Sequence, residues 1–277
     1  MTIAWHALGR LPDLMKDQAP CIGVFDSGVG GLTVLRELHR QLPGVPLRYV
    51  ADTAHAPYGE KSPNVIVERS LRIAAHLQER GAKLLVVACN TATAHAIQAL
   101  REPWPELPVV GTEPGIKPAV QASRVGRVGV LATPATLESA RFKALVERHA
   151  AGALIVPQAC PGLANSIELG RFDDPALLAL VERFCAPLRA AAVDTVLMGC
   201  THYPLIRPLL QQALGADVQL LDIETAVAKQ AARLWTLPPF AEEQTPEMAT
   251  TGDAQALAQF VSAALGWQGA NVESLDL

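Results

Sequence analysis

A short apolar strand that runs into a cysteine and then a helix occurs twice in this chain, 111 residues apart: VVACNT at 86–91 and LMGCTH at 197–202. Each copy sits in the same wider rhythm. Short β-branched runs alternate with longer segments whose apolar residues return at helical spacing, the pattern of an α/β protein with a largely parallel sheet. Strands are expected at Cys21–Phe25, Leu47–Ala51, Lys83–Ala88 and Pro108–Gly111, with helices near Gly31–Gln41, Pro63–Arg80 and Ala92–Arg101. A second set repeats it at an offset of about 105–111 residues: strands at Arg127–Ala132, Ala153–Pro157, Thr195–Met198 and Val218–Leu221, helices near Thr136–Ala150, Asp174–Ala191 and Pro204–Ala213. Ile22-Gly23-Val24 then aligns with Val128-Gly129-Val130, and the two cysteines fall at the same strand end.

The expected architecture is therefore two similar doubly wound, largely parallel-sheet domains related by a pseudo-twofold axis, with a site in the cleft between them. The first domain takes residues 1–115 and 223–277, with 1–20 as an irregular extension; the second takes 116–222. Tail helices near Glu224–Trp235 and Asp253–Leu265 are expected to pack back on the first half. Ligands of open parallel sheets bind outside the carboxyl ends of the strands, where loops and helix N-termini meet. Asp26, Asp52, Cys89, Thr112, Thr133, Cys160 and Cys200 all lie at or just past such ends.

Composition narrows the function. Half of the 277 residues are apolar and 18% are charged, so the chain can bury a sizeable core. Net charge is −4 without a block of Lys and Arg, which gives nucleic acid nothing to hold. No apolar run reaches the roughly 18 residues of a membrane span. Residues 1–20 carry Asp13, Lys16, Asp17, Pro12 and Pro20 in place of an apolar signal core, so a cytoplasmic protein is expected. Five cysteines (21, 89, 160, 185, 200) without CxxC pairing argue against a disulfide framework and a zinc knuckle. No metal site is expected.

A thiol at a helix N-terminus has its anion favoured by backbone N–H groups and the helix dipole. Taken alone, Cys89 is either such a thiol or a small buried hydrophobe; Cys200, with His202 two residues on, poses the same choice. Two at equivalent points suit one task, removing a proton from one face of a carbon and returning one to the other. An ordinary thiol pKa of about 8.5 makes both protonation states accessible. Asn90, Thr91 and Thr201 supply donors for the developing carbanion. The glycines of FDSGVGGLTV (25–34) match neither phosphate-loop spacing, and Asp26 there can hold an ammonium group or accept a proton relayed from Cys89. In DTAHAPYGEKS (52–62) the Tyr58 hydroxyl and Gly59 N–H are placed to bind a carboxylate, whereas Asp52 and His55 are either site residues or turn and capping residues. Glu168 by itself reads as a solvated carboxylate. Cys21 and Cys185 read as structural, Cys160 lacks the polar escort of the other strand-end thiols, and His6, His39, His76, His95 and His149 read as surface or packing residues.

Five stretches in order, FDSGVGGLTV, DTAHAPYGEKS, ACNTATA (88–94), EPGIKPA (113–119) and GCTHYPL (199–205), resemble the glutamate racemase family of the aspartate/glutamate racemase superfamily. The resemblance implies a cofactor-independent isomerase that supplies D-glutamate for peptidoglycan. It makes Cys89 the base for D-glutamate, assisted by Asp26, and Cys200 the base for L-glutamate, assisted by His202, with Glu168 as an auxiliary acid. Substrate contacts would come from Asp26, Ser27, Tyr58, Gly59, Asn90, Thr91, Thr201 and His202, and a homodimer is expected. The alternatives are a sister racemase for aspartate or hydantoins, and a non-catalytic glutamate-binding regulator. Retention of both cysteines speaks against the regulator.

Overall fold

A computed structural model describes residues 19–277, so nearly all of the extension read at 1–20, His6 included, lies outside the described residues. Among the described residues ten strands form two sheets, with every pairing parallel. The first sheet has the order β10-β9-β2-β1-β3-β4, from β1 (Cys21–Asp26), β2 (Leu47–Ala51), β3 (Ala82–Val87), β4 (Val109–Gly111), β9 (Glu247–Thr250) and β10 (Val272–Ser274). The second has the order β6-β5-β7-β8, from β5 (Arg127–Ala132), β6 (Leu154–Ala159), β7 (Thr195–Met198) and β8 (Gln219–Leu221). Stripped of β9 and β10, the two sheets share one winding: first strand inside second, then third and fourth on the other side. Both therefore reverse direction between their first and third strands, the switch point at which parallel sheets hold ligands.

Strand residues alternate between the two faces, and each face meets its own helices. In the first sheet Ile22, Val24, Leu84 and Val86 pack with helices Leu32–Gln41, Glu224–Leu234 and Ala254–Leu265. Phe25, Val50, Leu85 and Val87 pack on the other face with helices Pro63–Glu79 and Asn90–Arg101. In the second sheet Leu131, Val196 and Met198 face helices Leu163–Glu168, Pro175–Ala190 and Arg207–Leu214. Val128, Val130 and Leu197 face helices Ile116–Ala122 and Ala140–His149. Such two-sided burial is why the strands read as continuous apolar runs.

The tail does return to the first half, and it adds two strands that the sequence pattern did not reveal: β9 pairs with β2, and β10 with β9. The helix expected at Thr136–Ala150 is two, Pro134–Glu138 and Ala140–His149, because Ser139 adopts an extended conformation and its Oγ caps the second at the Phe142 N–H. The helix expected near Pro204–Ala213 opens as a 3₁₀ turn, Tyr203–Ile206, before Arg207–Leu214. Among the described residues no helix is long and apolar enough to cross a membrane.

Candidate active site

β3 ends one residue before Ala88-Cys89, and Cys89 is the N-cap of helix Asn90–Arg101, its sulfur accepting the Ala92 N–H at 3.4 Å. Its thiol also lies 3.7 Å from Ser27 Oγ, to which it donates. Burial first, and the Asp26 charge second, hold this thiol well above the ordinary range, against the pull of Ala92 and Ser27. Cys200 is close enough that its charge also raises Cys89.

The second copy is built differently. Cys200 leads into a 3₁₀ turn, so the first turn of an α-helix does not face its sulfur; the partner is His202, whose Nδ1 lies 3.6 Å away. The other ring nitrogen of His202, Nε2, meets Glu168 Oε1 at 2.5 Å, and the same oxygen accepts the Val29 N–H at 2.9 Å. Burial depresses the His202 pKa, but the Cys200 and Glu168 charges prevail and hold it well above the usual imidazole value. Glu168 is thus not a solvated carboxylate, as it reads in isolation: it clamps the second-half imidazole to the first-half glycine loop.

Asp26, at the end of β1 and fully buried, joins the halves in the other direction. Its Oδ1 accepts the Gly28 N–H at 2.7 Å and its Oδ2 accepts the Thr201 hydroxyl at 3.0 Å. Burial raises its pKa to about 6, opposed chiefly by His202 and the Gly28 N–H. No hydrogen bond runs from Asp26 to Cys89; Ser27 is the residue that meets that sulfur. The glycines let the halves close. A Cβ on Gly30 would come within 2.4 Å of His202 Nδ1, and one on Gly28 would collide with Glu168 Oε1.

Asn90 donates its amide to the Thr112 carbonyl at 3.0 Å, which leaves its buried Oδ1 without a partner. The Thr91 hydroxyl meets Thr133 Oγ1 at 2.9 Å, another link between halves, which needed the fold to be seen. His95, read as surface or packing, does the same through the Ala135 carbonyl at 3.0 Å. Gly59 packs on Thr133, where a Cβ would lie 2.8 Å from Thr133 Cγ2. Tyr58 is fully buried, but its hydroxyl donates to Asp52 Oδ2 at 2.6 Å and is not a free donor for a carboxylate. Asp52 is no simple turn residue: it also accepts from Arg69 Nη2 at 2.8 Å and Thr251 Oγ1 at 2.7 Å, while His55 Nδ1 lies 3.1 Å away. Cys21 and Cys185 are fully buried in the cores, as their positions implied. All five cysteines are free thiols.

The arrangement is two buried thiols, each with its own polar partner, and the chain that carries them has relatives among known proteins. The family model for Asp/Glu/Hydantoin racemase matches residues 22–231. Glutamate racemase of Pseudomonas syringae pv. tomato is 53% identical over 213 residues, 77% of this chain and 78% of that protein. The crystal structure of glutamate racemase isoform RacE1 from Bacillus anthracis superposes with a TM-score of 0.84 at 32% identity, covering 94% of this chain and 98% of that one. Escherichia coli glutamate racemase, in complex with L-glutamate and the activator UDP-MurNAc-ala, gives a TM-score of 0.81 at 33% identity over 92% of this chain and 97% of that one. By sequence and by fold, this chain belongs to the glutamate racemase family of the Asp/Glu/hydantoin racemases.

Proposed function

We propose that the chain interconverts L- and D-glutamate by passing the Cα proton between two thiols, without a cofactor, and so supplies D-glutamate for peptidoglycan. The observation that carries this reading is the pair itself: Cys89 and Cys200, at strand ends of different sheets, each buried, each hydrogen-bonded to its own polar partner, with Cys200 near enough to bear on the Cys89 thiol. With L-glutamate as substrate the Cys200 thiolate takes the proton while the Cys89 thiol returns one from the other face; with D-glutamate as substrate the roles reverse. His202, held cationic by Glu168, favours the Cys200 anion. Asp26, with a pKa raised to about 6, sits where a proton is easily gained or lost beside the Cys89 side.

The substrate must be held while its very weakly acidic carbon ionises, which calls for preorganised polar groups and exclusion of water. The unpartnered Asn90 Oδ1 suits the α-ammonium group, which is all donor. Ser27, Thr91, Thr201, His202 and the Gly59 N–H complete the contact set; Tyr58 contributes through its place beside Gly59. The same reading divides the chain at 1–115 with 223–277 and at 116–222, a division supported by sheet membership. A reducing cytoplasm suits five free thiols. A homodimer belongs to this reading on the family resemblance alone.

Incubation of glutamate in D₂O tests it. The parent protein exchanges the Cα proton of both enantiomers, whereas Cys89→Ser and Cys200→Ser each lose turnover by several decades, since Ser is a far poorer acid and base near neutrality. Full activity in either single variant would end the two-thiol mechanism. Turnover of aspartate at the glutamate rate would move the chain to a sister specificity.

A further inference from the structure

Next to Cys200 lies a buried hydroxyl for which neither the fold nor the catalytic relay has given a use. Tyr203 opens the 3₁₀ turn Tyr203–Ile206, fixed to Cys200 by its N–H, which donates to the Cys200 carbonyl at 3.1 Å. Its side chain is fully buried in the second-half core, in one cluster with Cys160 and Cys200. The hydroxyl has no hydrogen-bond partner, and those two thiols are titratable groups that bear on it. An unmade hydrogen bond inside a protein is unfavourable, so a buried donor without an acceptor asks for an explanation.

Cys160 does not supply it. Its S–H donates to the Gln158 carbonyl at 3.4 Å and it takes no part in the proton transfer, so it stays a thiol and is at best a weak acceptor. Cys200 is different, because on the reading above it alternates between thiol and thiolate. The phenol is itself held well above its usual pKa, by burial above all, so it remains a donor wherever the enzyme works.

We infer that Tyr203 is a positioning residue for Cys200, its hydroxyl being held in place as the hydrogen-bond donor to the thiolate that forms there during turnover. The donor is aimed at a charge that exists only at one stage of the cycle, which is how fixed dipoles lower a barrier. His202 approaches the same sulfur through its imidazole, so the thiolate has one cationic and one neutral donor. The phenols nearest Cys89, Tyr49 and Tyr58, spend their hydroxyls on the Gly28 carbonyl and on Asp52 Oδ2, so the companions of that sulfur are Ser27 and the Ala92 N–H. The two half-reactions are therefore stabilised by different means.

This inference rests on the two-thiol reading, and a directional isotope measurement separates the two. A racemase has an equilibrium constant of one, so kcat/KM must be equal in both directions and rates alone cannot say which thiol is impaired. The deuterium effect can. Proton removal from L-[2-²H]glutamate engages Cys200, and removal from D-[2-²H]glutamate engages Cys89. Tyr203→Phe keeps the ring and deletes the donor, and kcat/KM should fall about ten- to a hundredfold, the span for losing a hydrogen bond to a charged group. The isotope effect on kcat/KM should rise with the L-substrate and fall toward one with the D-substrate, because only the Cys200 step has slowed. That partition is a ratio within the folded fraction, so it survives partial loss of folded protein. Cys160→Ala should keep the parent's partition. Turnover equal to the parent's, isotope effects that move together in Tyr203→Phe, or a Cys160→Ala variant with the same shifted partition would each overturn the role. Failure of the two-thiol reading shows itself elsewhere, as retained turnover in Cys200→Ser.

Discussion

Asp26 holds a charge in a place that disfavours it, and the tension has a measurable sign. Burial lifts its pKa from 3.8 to about 6, so the folded protein keeps this proton over a pH range in which the unfolded chain has released it. The contribution to stability is fully present below the unfolded value and is lost as pH rises through the folded one. At about 1.4 kcal/mol per pKa unit the loss amounts to about 3 kcal/mol. Asp26→Asn removes the charge and keeps the geometry: the amide oxygen still accepts from Gly28, and Thr201 turns its hydroxyl to accept from the amide. Unfolding by urea should show the variant gaining up to about 3 kcal/mol over the parent at pH 8 and little near pH 4, with turnover reduced. A gain that does not depend on pH would show that the carboxylate is not under this strain. Asp26, Cys89, Cys200 and His202 were legible in the sequence because each lies in a motif beside a predicted strand end. Glu168 was not legible from its own surroundings, since its value lies in a histidine 34 residues away and a backbone amide 139 residues away.

At the scale of elements, the strands of both halves could be read from their β-branched runs, and the departures have local causes. The helix break at Ser139 is hidden because apolar periodicity continues across it, while the signal, a serine capping a new turn, is a single residue. β9 and β10 are only 4 and 3 residues long, and EMAT and VES carry almost no strand preference of their own; pairing with β2 is what defines them. The loop after β1 is the element on which the site depends. Gly30 stands where helix Leu32–Gln41 begins and where the Thr201–His202 turn presses against it, and a Cβ there would lie 2.7 Å from Thr201 Oγ1 as well as against the imidazole. Gly30→Ala should therefore displace His202 from Cys200, lowering kcat at least tenfold, while overpacking lowers stability by about 1–3 kcal/mol. A variant with the parent's kcat and melting temperature would mean that the two halves do not close as tightly as this geometry requires.

The whole molecule is one winding made twice and then fastened by its tail. Duplication was visible in the offset of the cysteine motifs, but the fastening was not, because it depends on residues up to 208 positions apart. Its centre is Asp52, fully buried at the end of β2, where Arg69 from helix Pro63–Glu79, Tyr58 from the loop and Thr251 from beyond β9 converge. Arg69 also donates to the Leu277 carbonyl at 2.6 Å, so one guanidinium ties the first sheet's helix layer to the returning tail. Burial pushes the Asp52 pKa up, yet the Arg69, Tyr58 and Thr251 hydrogen bonds prevail and hold it below the usual carboxylate range. The pair's contribution is therefore present above the unfolded carboxylate pKa and lost as pH falls through the lower folded one. Removal of one partner of a buried ion pair strands the other's charge, whereas removal of both does not. Arg69→Met should accordingly lose about 3–5 kcal/mol of unfolding free energy at neutral pH, and Arg69→Met with Asp52→Asn should recover much of it. Deuterium exchange into glutamate per folded molecule should stay near the parent's, since neither residue touches the thiols. A single variant as stable as the parent, or a double variant no better than the single, would show that the tail is held by its apolar packing alone and that the buried pair only occupies the joint.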